Sequence, residues 1–247
     1  MPAELLRADD PLVLPHLGSI GRLWAAVLDV ADQGAHGWTL VGALMVMLHE
    51  HEAGIPTRPA TADADAVVDA RGATGATRMM ATLLQAQGWE LDTAHVDVDG
   101  HGYKFVRDGL EFDVLAPEGM GARADLTTVP PLRAPQLAGT RQALDRTQRI
   151  AVDLDGRTAA LPRPDLLGAL VVKSCAAASD HVRGPQRHRE DLARLYRLVT
   201  EPAAWTLTSK DRKRLRATAE PTWEVLEDPA DRAAARAAHR LLTTPPG

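Results

Sequence analysis

Two aspartates separated by a single residue are the part of this sequence best suited to chemistry. Asp63 and Asp65 follow Thr61 and lead into the apolar residues 66–68, a pattern that favours a strand. Residues i and i+2 of a strand point to the same face, so the two carboxylates would lie about 6–7 Å apart along the chain. They could then share one cation or hold two neighbouring ones. Hard oxygen ligands of this kind favour Mg²⁺, or Mn²⁺ in its place.

A third carboxylate is available further along the chain. Glu111 and Asp113 alternate with the apolar residues 110, 112 and 114, so both acids share one face of a predicted strand. The sequence leaves open which of the two joins the aspartate pair.

A candidate phosphate-binding element precedes the aspartates. Residues 38–41 read as a short buried strand, Gly42 as a turn, and residues 43–52 as a helix that leaves this turn. The free N–H groups at such a helix start are suited to holding a triphosphate. A phosphate cradle, a paired acid and a third acid are the parts that a two-metal phosphoryl transfer needs.

The order of these motifs resembles the nucleotidyltransferase superfamily, and especially the AbiEii-type toxins of type IV toxin–antitoxin systems. The resemblance covers residues 38–199, and the joint order of the motifs is far more specific than any single motif. It is carried by Leu40-Val41-Gly42-Ala43-Leu44, Arg58, Thr61-x-Asp63-x-Asp65, the proline-led run 161–167, Lys173 with the following Ser-Cys-Ala-Ala, and the Arg-rich run 187–195 with its Asp191-Leu192.

The resemblance implies a role for each matching residue. Asp63 and Asp65 would bind the metal, with Asp113 as the third acid. Lys173 would hold the nucleotide phosphates, and Asp191 would orient Lys173 or the acceptor. The remaining matching positions would contact the nucleotide: Gly42, Ala43, Arg58 and Thr61.

The same resemblance implies a reaction and its partners. The enzyme would transfer a nucleoside monophosphate from an NTP to an acceptor and release pyrophosphate. The acceptor would be the 3′ end of a tRNA, and a cognate antitoxin protein would be a partner. Residues 181–216 carry ten Lys/Arg against four Asp/Glu in a chain of net charge −5, so this +6 segment could meet tRNA phosphates. A solvated arginine-rich helical surface is an equally good explanation of that charge.

Two other functions stay open on the sequence. The acidic balance of the whole chain favours a small hydroxylated acceptor, such as an antibiotic. An inactive nucleotide- or partner-binding module of the same fold is the third candidate, because Ala43 places no hydroxyl at the turn. Residues His95, Asp97 and Asp99 could gather on one strand face, but a solvated hairpin surface is the better interpretation.

The composition limits the classes of protein to which this chain can belong. The chain has 247 residues, 45% of them apolar, which is enough for a substantial core. A single cysteine, Cys175, excludes an internal disulfide. The first residues lack the pattern of a signal peptide, and no apolar run approaches the roughly 20 residues of a membrane helix. We therefore expect a cytoplasmic protein without a membrane span.

Periodicity predicts an α+β fold, with a mixed α/β N-terminal part followed by a C-terminal helical bundle. The resemblance implies that the N-terminal part is a nucleotidyltransferase-type mixed sheet flanked by helices. The predicted domains are residues 1–160 and 161–247. Strands are expected at 38–41 and 64–69. A three-stranded meander within 96–115 is expected to turn at Asp99-Gly100 and Asp108-Gly109, and a hairpin of 150–154 with 158–161 is expected to turn at Asp155-Gly156. Helices are expected at 20–31, 43–52, 77–87, near Arg141, and at 165–178, 187–199, 209–217 and 230–242.

Overall fold

The structure is a computed structural model that describes residues 5–33, 37–56, 61–179, 184–217 and 220–244. Within these ranges the chain forms two sheets and eight α-helices, which confirms the predicted α+β class. The strands are β1 (Leu5–Leu6), β2 (Leu12–Val13), β3 (Trp38–Val41), β4 (Asp63–Val68), β5 (Glu90–Leu91), β6 (Lys104–Arg107), β7 (Leu110–Pro117), β8 (Gln136–Leu137), β9 (Thr147–Leu154) and β10 (Arg157–Pro164). The helices are α1 (Gly18–Asp32), α2 (Gly42–Glu52), α3 (Ala76–Ala86), α4 (Thr140–Asp145), α5 (Leu166–Ala177), α6 (Pro185–Arg197), α7 (Ser209–Arg216) and α8 (Pro229–Thr243).

The larger sheet has the strand order β3-β4-β7-β6-β5, and β8 pairs with the end of β7. Strand β3 is antiparallel to β4, β4 is parallel to β7, and β6 is antiparallel to β7. Helices α2 and α3 pack against β4, and α3 also packs against β7. The acidic residues of β4 and β7 therefore lie on adjacent central strands.

The smaller sheet is built on the β9–β10 hairpin, with β1 and β2 both parallel to β9. Asp155 and Gly156 form its two-residue turn with φ angles of 54° and 82°, as the Asp-Gly pair predicts. Strand β10 also packs against β3 of the larger sheet. Strands β1, β2 and β8 were not predicted, because two residues are too few to show a period.

The predicted meander is wrong in its first strand. Its last two strands are β6 and β7, and the turn at Asp108 and Gly109 is present with left-handed φ angles. Asp97 instead closes a loop, because its Oδ1 accepts the backbone N–H groups of Asp99 and His101 at 3.0 and 2.9 Å. Strand β5 provides the third strand of this part of the sheet.

The C-terminal helices follow the predicted positions, and each begins or ends within two residues of the expected bounds. Helix α5 packs against α6, and α6 packs against α8. One buried apolar cluster includes residues from both halves of the chain, and β10 runs through the boundary placed at residue 160. The division into two domains stays a prediction. Among the described residues, no helix combines the length and apolar character that spanning a bilayer requires.

Candidate active site

The register of β4 and β7 brings the predicted acids to one face of the larger sheet. Asp65 is the direct register partner of Asp113, and Asp63 is the partner of Glu111. Since the two strands are parallel, partners point to the same side. The residues between them, at positions 64, 66, 112 and 114, are fully buried on the other side. The side chain of Asp113 is 14% exposed and that of Glu111 is 43% exposed, so Asp113 is the better-enclosed third acid.

Asp65 is the central acid of this group. Burial raises the pKa of Asp65 to about 6, and the neighbouring charge of Asp63 adds to the rise. Burial raises the pKa of Asp113 to about 7, and the charge of Asp65 contributes while Lys104 acts against it. Enclosed carboxylates that repel one another are a donor set suited to a divalent cation, which would neutralise them. The residues therefore fit the predicted metal.

Asp63 is turned toward other partners in this structure. Its backbone N–H donates to Thr61 Oγ1 at 3.3 Å, its side chain contacts the same hydroxyl, and its Oδ2 lies 3.4 Å from Arg187 Nη2. The ligand oxygens of Asp63, Asp65 and Asp113 do not all lie within 4.8 Å of one another.

Gly42 makes room for the central acid. Its φ angle is 72°, and a Cβ added there would lie 1.8 Å from Asp65 Oδ2. Helix α2 begins at Gly42 without a side-chain cap, and the preceding residue, Val41, is the register partner of Asp65. The Asp65 carboxylate therefore lies against the uncapped start of a helix, where the backbone dipole favours negative charge.

Replacing Gly42 by alanine should displace the Asp65 carboxylate and lower, by about 10²-fold, the nucleotidyl transfer that the sequence predicts, because small displacements of reacting groups are costly. The left-handed φ angle adds about 1–2 kcal/mol of strain. Gly54→Ala is the matched control, since Gly54 has a φ angle of 73° and nothing within 4 Å of the added Cβ. Urea unfolding should show Gly42→Ala to be destabilised at least as much as Gly54→Ala, because it adds the clash with Asp65 to the same φ strain, and activity should be lost in Gly42→Ala alone. Equal activity of the two would contradict the placement of Asp65.

Arg58 and Ala43 are two of the predicted nucleotide contacts. Arg58 lies outside the described residues, so its role stays a prediction. Ala43 is the second residue of α2 and is partly exposed, so its backbone N–H belongs to the uncapped first turn.

Lys173 and Asp191 form a buried ion pair. Lys173 Nζ lies 2.6 Å from Asp191 Oδ2, and the two side chains are 3% and 5% exposed. Arg194 Nη1 approaches the other Asp191 oxygen at 3.4 Å. The positive charge of Lys173 lowers the pKa of Asp65 against the effect of burial, so the ammonium lies within electrostatic range of this acid. Helices α5 and α6 thus hold a fixed cation beside the acids.

Three neighbours of the acids were missed by the sequence analysis: Lys104, Arg187 and His188. His188 is 8% exposed, and neither ring nitrogen has a hydrogen-bond partner. Burial lowers its pKa to about 4, with Lys173 adding to the effect, so its ring is neutral near pH 7. Arg187 and His188 precede Asp191 by four and three residues, and this helical spacing places them on its side of α6.

A separate acidic group lies in the loop before β6. Asp97, Asp99 and His101 offer ligand atoms that all lie within 4.8 Å of one another, a geometry that could accommodate a metal ion. The predicted partner His95 is not part of this group, because its Nδ1 bonds Asp92 Oδ2 at 2.6 Å. His101 Nδ1 instead bonds Asp97 Oδ2 at 2.8 Å. The two aspartates are exposed, and the group is held by its own hydrogen bonds.

Much of the basic segment is paired inside the fold. At least five of its cations contact carboxylates of this chain, which therefore neutralise part of the +6 charge. The pairs are Arg187 with Asp63, Arg194 with Asp191, Arg197 with Glu50, and both Lys210 and Arg214 with Glu118.

Comparisons with known proteins give a distant likeness. No family model matches the chain, and no curated protein matches it. Among solved structures, the chain is similar to an antigenic nucleotidyltransferase-like protein from Paracoccidioides brasiliensis, with 17% identity and a TM-score of 0.44. The alignment covers 86% of this chain and 93% of that one. A likeness at this level assigns neither a family nor an activity, so the function of the chain has to be inferred from its own residues.

Proposed function

We propose that this protein is a metal-dependent nucleotidyltransferase of the AbiEii toxin type, which transfers a nucleoside monophosphate from an NTP to an acceptor hydroxyl. The observation that supports this most directly is the convergence of Asp63, Asp65 and Asp113 on one sheet face. Gly42 and the uncapped start of α2 border the same face. The three acids can bind a divalent ion. The start of α2 and the Lys173 ammonium can bind the negatively charged phosphates of an NTP.

Each group has a defined task in this reaction. Asp63 and Asp65 are the primary ligands for Mg²⁺, or Mn²⁺, and Asp113 is the third acid. The bound ion supplies neutralising charge for the triphosphate. Lys173 attracts the phosphate oxygens as a compact cation, and Asp191 fixes the direction of its ammonium group. The acceptor hydroxyl releases its proton to solvent as its oxygen bonds the α-phosphorus, the bond from that phosphorus to the bridging oxygen breaks, and pyrophosphate leaves.

The proposed acceptor is the 3′ end of a tRNA, and the proposed protein partner is a cognate antitoxin. Both come from the resemblance to AbiEii-type toxins, and the basic segment 181–216 is the chain's own feature in favour of tRNA. A specific observation favours a small hydroxylated acceptor as the second candidate. The chain pairs at least five cations of that segment with its own carboxylates, which leaves fewer charges for a polynucleotide.

Incubation of the protein with each labelled NTP, Mg²⁺ and total tRNA should place label on tRNA for at least one NTP. Asp63→Ala and Asp65→Ala should lose this transfer, while the control Asp9→Ala, at an exposed position between β1 and β2, should keep it. Label on an added aminoglycoside or similar polyol, with none on tRNA, would select the second candidate. If no NTP is consumed with or without these acceptors, the result would contradict an enzymatic function and favour the inactive binding module.

A further inference from the structure

Lys104 lies directly beside the third acid. It is the register partner of Asp113 across the antiparallel pair of β6 and β7, so both side chains are on the same face of the sheet. Lys104 Nζ lies 3.1 and 3.4 Å from the two carboxylate oxygens of Asp113, and it also bonds Glu111. The Lys104 side chain is 15% exposed. An ammonium group therefore already lies beside Asp113 on the acidic face of the sheet.

The Lys104 ammonium contacts carboxylate oxygens of both Asp113 and Glu111, so these two acids share a cation that belongs to the chain itself. Among the residues that the structure describes, the basic side chain that contacts the Asp63 carboxylate is that of Arg187, at the longer distance of 3.4 Å and with 53% of the side chain exposed.

We propose that Lys104 is a built-in cation of the active site, so that the metal-free protein binds one divalent ion at Asp63 and Asp65 instead of two. This inference rests on the proposed function. A second divalent ion at Asp113 would have to displace the ammonium or lie against it, and like charges at such distances repel strongly in a partly buried site. The Asp113 carboxylate then neutralises the Lys104 ammonium and does not bind a second ion.

The test is a titration of the protein with Mn²⁺. The electron paramagnetic resonance signal of the free aqueous ion measures how much Mn²⁺ stays unbound at each step. We expect one ion per chain in an Asp99→Asn background, which removes a ligand of the separate group of Asp97, Asp99 and His101 and serves as the wild-type reference for this titration. Lys104→Met should bind a second ion, with an affinity at least about tenfold higher than any second site of the wild type. Lys210→Met is the control, because Lys210 contacts the distant Glu118 and its side chain is 52% exposed. This control should still bind one ion.

A second variant covers the case in which Lys104→Met does not fold, as checked by circular dichroism. Asp113→Asn in the wild-type background should leave one ion bound with less than about threefold change in affinity, while Asp65→Asn should remove it. Two equivalent ions on the wild type, or a count of one that Lys104→Met does not change, would overturn the role of Lys104 alone. The absence of any Mn²⁺ binding would overturn the proposed metal site as well, so the two failures are distinguishable.

Discussion

Asp65→Asn is expected to abolish nucleotidyl transfer while making the metal-free protein more stable near neutral pH. The loss of activity should be on the order of 10³-fold or more, because Asp65 is the central ligand of the proposed ion. The gain in stability has a different cause. Asp65 is enclosed between two other acids, and in the absence of a cation its charge opposes folding.

The sign of this effect follows from the pKa. The pKa of Asp65 is about 6 in the folded protein against an ordinary value of 3.8, so the folded protein binds the proton more tightly than the unfolded chain does. This carboxyl group therefore favours folding most below pH 4, and its contribution is lost as the pH rises through 6. Asparagine has no such charge, so the variant should avoid a penalty on the order of 2 kcal/mol at pH 7.

Urea unfolding in EDTA at pH 5 and pH 7.5 measures this directly. The decrease in the free energy of unfolding between the two pH values should be smaller for Asp65→Asn than for the wild type. Asp9→Asn is the matched control, because Asp9 is exposed and lies between β1 and β2. It should show the wild-type decrease and the wild-type activity. An unchanged decrease in Asp65→Asn would mean that Asp65 is not enclosed among like charges.

Local patterns determined most of the element positions. Asp-Gly pairs predicted the turns at 108–109 and 155–156, where the first residue of each has a left-handed φ angle. Prolines and apolar spacing predicted α5 to α8 to within two residues. The first strand of the meander was wrong because the alternation in residues 96–98 comes from a loop whose hydrogen bonds are made by the Asp97 side chain.

Some contacts within the candidate site could be predicted from the sequence, and others could not. A two-residue turn at 108–109 pairs residue 107 with 110, and therefore Lys104 with Asp113, so this neighbour was within reach of the prediction. The pairing of Asp65 with Asp113 was not, because β4 and β7 are parallel and separated by α3, β5 and β6. Parallel register depends on how the intervening helix packs, which local periodicity does not contain.

The charge of residues 181–216 shows the same limit. Its net value can be counted, but the partners of its cations lie on α2, on β4 and in the segment after β7. A basic segment that contacts nucleic acid and one that neutralises its own fold have the same composition. Only the three-dimensional arrangement separates them.

The second large effect is expected at the buried pair of Lys173 and Asp191. Lys173→Met should lower the free energy of unfolding by about 3–5 kcal/mol, because it leaves the Asp191 carboxylate enclosed without its closest cation. Arg194 approaches the other Asp191 oxygen at 3.4 Å and offsets part of this loss. Arg78→Met is the control, since the Arg78 side chain is 51% exposed and its pair with Asp125 should contribute about 1 kcal/mol or less.

The double variant Lys173→Met with Asp191→Leu separates stability from function. Removing both charges should restore most of the free energy of unfolding, because an apolar pair of similar volume can replace a buried ion pair. Activity should stay at the level of Lys173→Met, since no ammonium remains to attract the triphosphate. Urea unfolding and the labelled-NTP assay on the same samples give both quantities. Recovery of activity together with stability would show that the pair serves only the packing of α5 against α6, and Lys173 would then have no part in nucleotide binding.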